Sequence, residues 1–189
     1  FALAENFLYT EEALGTFHDR LAPGGRLFLT RWWFDPPRQT LRLLLTATAV
    51  LRERGVEHPE RRLYVATDSG DLRAGNSLTL IQAGRDFTRA ELDALDADAR
   101  RRGARTLFAW DRPSHGVLAE AVDAEDPRAW AEAWPYRVDP TRDERPFFFE
   151  HGRLGTLFRS EGNWIHDRLG GQEVLVTALL ILAGAATSL

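Results

Sequence analysis

Arg31, Trp32 and Trp33 close the apolar run RLFLTRWW at residues 26–33. A guanidinium beside two indoles can hold a ligand, and α/β sheets present binding groups at the C-terminal edges of their parallel strands. A packed aromatic corner would use the same residues. Glu5, Asn6 and Tyr9 precede a helix in the same region of the expected sheet, so Glu5, Asn6, Tyr9, Arg31 and Trp32 form the candidate wall of a site. Other reactive groups lack the spacing their chemistry needs. Ser114 and His115 are sequence neighbours without an evident acidic partner, whereas a nucleophilic triad is assembled in space. The five histidines include no i, i+4 pair, and with no cysteine there is no thiolate zinc site, disulfide or cysteine nucleophile. No metal is expected. Arg100, Arg101, Arg102 and Arg105 resemble a basic patch, but three of them sit in the last turn of a helix, where cations favour the negative dipole end.

The elements that would position the wall are readable from pattern. Thr10 followed by Glu11 and Glu12 starts a helix, with Leu14, Phe17 and Leu21 on one face, and Pro23, Gly24 and Gly25 end it. The two glycines lie between a helix and the next strand, so they terminate the helix and do not form a dinucleotide fingerprint. Residues 26–33 read as a buried strand. Pro36 and Pro37 open a second helix with a stripe of Leu41, Leu44, Leu45, Thr48 and Leu51, closed by Gly55. Helix, strand, helix implies a parallel α/β sheet. Residues 62–67 and 78–82 read as an antiparallel edge pair across a long polar loop. TRAE at residues 88–91 is a capping box for a helix bearing Leu92, Leu95 and Ala99, and Gly103 stops it. A short strand at residues 106–110 and a helix capped by Asp126 and Pro127 follow.

Composition bounds the function. The chain has 189 residues, a formal net charge of -4 and 44% hydrophobic residues, which fits one globular domain. With 24 Lys+Arg against 28 Asp+Glu, it has no general attraction to phosphate backbones, so nucleic acid is not an expected partner. Residues 174–189 (VLVTALLILAGAATSL) carry no charge, are apolar on every face, and approach the roughly 20 residues that span a bilayer. Arg153, Arg159 and Arg168 lie just before them, as on the cytoplasmic flank of a span. A buried C-terminal helix is the competing reading. The chain opens in mid-phrase at Phe1 and reads as an internal piece of a longer protein.

The run LYTEEALGTFHDRLAPGGRLFLTRWW resembles the second half of the S-adenosylmethionine-dependent methyltransferase fold, where a helix ends in a Leu-x-Pro-Gly-Gly turn before a core strand. Together with DERPFFFE at residues 143–150 and GGQEVLVTALLIL after it, the chain is similar to bacterial multi-pass membrane proteins with a spermidine synthase-like domain. The resemblance implies an α/β fold: residues 1–150 as the C-terminal part of a Rossmann-like domain, 151–172 as a juxtamembrane linker, and 173–189 as a truncated transmembrane helix. It implies a location at the bacterial inner membrane with the soluble domain in the cytoplasm. The implied activity is aminopropyl or methyl transfer, from S-adenosylmethionine or its decarboxylated form, to a small-molecule amine.

In that family the glycine-rich cofactor turn, the ribose-holding acid and the catalytic Asp precede the region present here. No catalytic residue is therefore assigned to this chain, and the missing N-terminal half of the same domain is an expected partner. Arg31 and Trp32 match the end of the strand where polyamine synthases carry a Gln-containing motif, and a cation there would repel a polyammonium substrate unless acids offset it. The rival reading, from a different class, is a non-catalytic cytoplasmic interaction or regulatory module of a membrane protein. Phe147, Phe148 and Phe149 are expected to anchor the irregular C-terminal stretch, with at least one ring in a pocket, because three consecutive aromatics cannot share one side.

Overall fold

The computed structural model describes residues 5–70 and 72–152. The run at residues 174–189 lies outside them, and no helix among the described residues is long and apolar enough to cross a membrane. The chain is α/β. A 3-10 turn at Phe7–Tyr9 leads into α1 (Glu11–Arg20), then β1 (Arg26–Phe34), α2 (Gln39–Glu53), a 3-10 turn at Pro59–Arg62, β2 (Leu63–Thr67), β3 (Ala74–Gln82), α3 (Arg89–Arg101), β4 (Arg105–Ala109), α4 (Gly116–Asp123) and α5 (Pro127–Ala133). The Thr10 hydroxyl accepts from the Ala13 amide to start α1, and Thr88 and Glu91 form the reciprocal capping box that starts α3.

The strands form one sheet in the order β1-β3-β2-β4, and every neighbouring pair is antiparallel. This corrects the expectation of a parallel sheet. β1 and β2 do run the same way, joined through α2, but β3 is inserted between them in the opposite sense. The β2–β3 hairpin is therefore central rather than an edge pair, and β3 begins at Ala74, four residues earlier than its apolar pattern suggests. α4 was absent from the pattern-based reading.

Helices cover both faces. On one, α1, α2, α4 and α5 pack against Trp33, Leu63, Val65, Ile81 and Leu107; on the other, Leu92 and Ala99 of α3 pack with Phe87 against Tyr64, Ala66 and Leu80. α2 touches α1, α4, α5, β1 and β3, so burial extends well beyond the expected stripe to Thr40, Arg42, Leu43 and Thr46. The second cover is incomplete. Phe28 lies in register with buried Leu80, yet it is 62% exposed, and Trp32, four residues on and on the same face, is 55% exposed. β1 thus carries a bare apolar strip, and its outer edge has no strand partner among the described residues. The turn before β1 is tight: Gly24, at φ +78°, donates to the Ala83 carbonyl at 2.8 Å, and a Cβ on Gly84 would meet the Pro23 backbone at 2.9 Å.

Arg42 is buried inside α2, and its Nη1 donates to the carbonyls of Phe147 at 2.9 Å and Phe148 at 2.7 Å, while Nη2 lies 3.7 Å from Asp139. That guanidinium fastens the irregular segment after α5 to the core. Phe148 is the ring it buries, and Phe149 is 40% exposed. His151 Nδ1 donates to the Arg137 carbonyl at 3.1 Å in the tautomer that protonates this nitrogen. Burial, followed by the nearby Arg42 charge, pushes the His151 imidazole down to about 3 from its ordinary 6.5.

Two predictions follow from this fastening. Phe148→Ala should cost about 3–5 kcal/mol by urea denaturation, whereas Phe149→Ala should cost less than about 1 kcal/mol. For His151, the unfolded chain binds a proton below pH 6.5 that the folded chain refuses until near pH 3, so its contribution is complete above pH 6.5 and is lost as pH falls through this window. His151→Asn should flatten the slope of stability between pH 6.5 and 4 by at most about 1.4 kcal/mol per pH unit, and an unchanged slope would rule the imidazole out as the cause.

Candidate functional site

Strand alternation decides which candidate residues can meet. Leu27, Leu29 and Trp33 of β1 join the core beneath the helices, and Arg31 shares their face. There the Arg31 guanidinium lies 3.7 Å from the Tyr9 ring centre, and 5.9 and 5.7 Å from those of Phe148 and Phe149. The rings pack on one another, with Tyr9 and Phe148 centred 4.5 Å apart and Phe148 edge-on to Phe149 at 5.2 Å. Three chain regions therefore converge: the 3-10 turn ahead of α1, the C-terminal part of β1, and the segment fastened by Arg42.

The backbone beneath Arg31 is rigidly held. The buried Ser77 hydroxyl donates to the Arg31 carbonyl at 3.0 Å, and buried Thr40 donates to the Trp32 carbonyl at 3.1 Å. These two hydroxyls also lie 2.6 Å apart, so their two protons are shared among three contacts that join β1, β3 and α2 in one small network. On the far side, the Asn6 amide donates to the Pro146 carbonyl at 2.7 Å, and its side chain accepts from Leu8. Thr141 Oγ1 donates to the Tyr9 carbonyl at 2.7 Å. Both ends of the aromatic cluster are thus pinned by hydrogen bonds.

Of the candidate wall, the structure brings Tyr9 and Arg31 into contact and holds Asn6 behind them. Glu5 is exposed at the rim of the turn. Trp32 projects from the opposite face of the sheet, where it stacks on Phe34 at 6.3 Å, because adjacent strand residues alternate sides. Phe148 and Phe149 enter this cluster from a segment that sequence reasoning treated only as an anchor. The signal that would have joined them was Arg42, an arginine set within the apolar run LRLLLTATAV whose charge must find buried acceptors.

Arg31 differs electrostatically from the ion-paired arginines of this protein. Nη1 donates to its neighbour's carbonyl, Thr30 O, at 2.6 Å; Nε is buried without an acceptor, and Nη2 has no hydrogen bond to a described residue. No carboxylate among the described residues lies within ion-pair distance, and burial alone lowers its pKa from the ordinary guanidinium value. At the two cavities and along α3 the charges close on themselves. A cavity of about 360 Å³ is lined by Glu11, Glu12, Asp19, Glu53, Arg54 and Arg142, but Arg54 pairs with Asp19 at 2.7 Å, and buried Glu11 pairs with Arg128 at 2.6 Å. A second cavity of about 220 Å³ has Arg137 and Arg145 against Glu150, and Arg142 near Glu11 and Glu12. Arg100, Arg101 and Arg102 pair with Asp96 and Asp98 on α3, as a solvated helix end should. Ser114 bonds the Ala109 backbone, and His115 lies at the start of α4 with its ring edge-on to Trp33. Among the described residues, no group of three or more His, Cys, Asp or Glu could hold a metal ion.

An unpaired, half-buried cation adds little to stability, because its cation–π gain is offset by desolvation and by the orphaned Nε. Arg31→Met should therefore change unfolding free energy by less than about 1 kcal/mol in urea denaturation, while Arg42→Met, which strips the buried Phe148 carbonyl and the part-buried Phe147 carbonyl of their donor, should cost about 2 kcal/mol or more. A large loss at Arg31 would make that residue a structural element. Comparison with protein-family models, curated proteins and solved structures gives no match for this chain.

Proposed function

We propose that the chain is the C-terminal part of a membrane-attached, S-adenosyl-cofactor-dependent transferase of the spermidine synthase-like type, acting in aminopropyl or methyl transfer and inactive by itself. The observation that carries this reading is the order β1-β3-β2: two co-directional strands joined through a helix, with a reversed strand between them. Doubly wound sheets commonly carry an antiparallel strand near one edge of an otherwise parallel sheet, and this group, with β4 beyond β2, would form that edge. The bare strip of Phe28 and Trp32 and the open edge of β1 support the same reading, since an adjoining half-sheet would pair that edge and cover those rings.

The described residues do not hold the cofactor by themselves. The Pro23-Gly24-Gly25 turn leads from helix to strand, whereas a cofactor cradle of this fold class runs from strand to helix. The connection from β1 to α2 contains Pro36 and Pro37 and no glycine. Tyr9, Arg31 and Phe149 therefore supply one wall on the acceptor side, and residues earlier in the complete domain supply the cofactor side.

Titration calorimetry of S-adenosylmethionine tests this reading, with the 189-residue chain and the protein extended through its upstream reading frame measured side by side. The expected result is no saturable binding to the chain alone and binding in the micromolar range to the extended protein. Absence of binding to the extended protein, with no strand-to-helix glycine turn in its sequence, would leave the non-catalytic module as the better reading.

A further inference from the structure

We propose that Arg31, with Tyr9 and Phe149, forms a binding site for the carboxylate of a small planar organic acid. This deepens the transferase reading and rests on it for the role of the acid as acceptor substrate, a molecule whose amine would take the transferred group while Arg31 holds its carboxylate. Three observations carry the inference. First, Arg31 has no opposing carboxylate among the described residues, although the strand position that bears it is fixed by the buried Ser77 and Thr40 hydroxyls. A half-buried charge left without a counter-ion on a rigid strand is matched by an anion from outside. Second, Nη2 is neither hydrogen-bonded to a described residue nor among the buried unpartnered atoms, so donors remain accessible to a ligand. Third, Phe149 is 40% exposed beside that guanidinium and offers an apolar face to the body of the acid.

The same geometry discriminates among ligands. Arg31 is the one guanidinium stacked on Tyr9, and Arg137 and Arg145 are drawn to Glu150. A single unpaired cation balances a monoanion, while a phosphate dianion would be under-compensated. A polyammonium chain would meet like charge in a partly desolvated setting, which disfavours it. The ligand chemistry is therefore a carboxylate on a flat or aromatic frame.

The test is nitrogen-15 NMR of arginine side-chain Nε–H signals in the 189-residue chain, titrated separately with benzoate, benzamide, inorganic phosphate and spermidine. Loss of one signal in Arg31→Met identifies the Arg31 resonance, and the dispersion of the backbone spectrum verifies that the variant is folded. Benzoate should shift that signal saturably, and its affinity, followed in every variant through the backbone amide signals of Tyr9 and Phe149, should fall about tenfold or more in Arg31→Met and by less in Arg31→Lys, which keeps the charge but not the planar fork. Benzamide and spermidine should leave the signal in place. An unmoved Arg31 signal with benzoate, an equal response to benzamide, or tighter binding of phosphate than of benzoate would each overturn the assignment. If Arg31→Met unfolds the chain, Tyr9→Leu serves in its place and should weaken benzoate binding with the charge intact. The two proposals fail separately. Benzoate binding at Arg31, in a protein whose extended form binds no S-adenosylmethionine, would sink the transferase reading and leave the carboxylate site standing.

Discussion

A guanidinium enclosed within α2 sets the terms for much of this structure. Arg42 lies between Leu41 and Leu43 in the most buried helix, where little solvent is left to offset the loss of hydration. A buried charge is tolerated only with good hydrogen bonds and an opposing charge, so the chain has to return with carbonyls and a carboxylate. Phe147, Phe148 and Asp139 provide them. Phe148 is buried by that return, Tyr9 packs on Phe148, and Arg31 lies over Tyr9. The aromatic cluster is thus an indirect product of solvating one helix charge.

The two arginines illustrate opposite uses of one side chain. Arg42 is surrounded by acceptors from its own chain and serves the fold. Arg31, at the rim of the same cluster, keeps donors that no described residue takes up. Because a guanidinium does not lose its proton in the accessible pH range, the charge at Arg31 is permanent, unlike that of an imidazole such as His151. Binding of an anion there would follow the ligand's ionisation and not the protein's.

Local pattern was legible and strand order was not. Capping residues at Thr10, Thr88 and Asp126 marked helix starts correctly, because the orphan amides of a first turn need an acceptor nearby in sequence. The apolar runs of β1, β2 and β4 were recognisable for similarly local reasons. The insertion of β3 between β1 and β2 is a long-range pairing, and nothing in residues 74–82 states which neighbour they will choose. Residues 74–77 read as loop because AGNS lacks apolar alternation, yet they extend β3 opposite Arg31 and Trp32. At the candidate site, Tyr9 and Arg31 could be named from their positions ahead of a helix and at a strand's end. Trp32 was grouped with them as part of the same strand end, and the two-residue period of a strand places it on the other face.

The Arg42 contact also has a temporal side. The bond from its Nη1 to the Phe148 carbonyl spans 106 positions of sequence. Synthesis at roughly 5–20 residues per second would leave this guanidinium without those acceptors for on the order of 5–20 s after it is made. During that interval α2 cannot bury all its faces at equilibrium without stranding a charge, so the side of the sheet covered by α1, α2, α4 and α5 should remain loosely packed until residues 147–148 arrive. The opposite side, where α3 meets the β2–β3 hairpin through contacts closer in sequence, has no such wait. One residue in the middle of a helix thereby gives the two faces of the same sheet different times of consolidation.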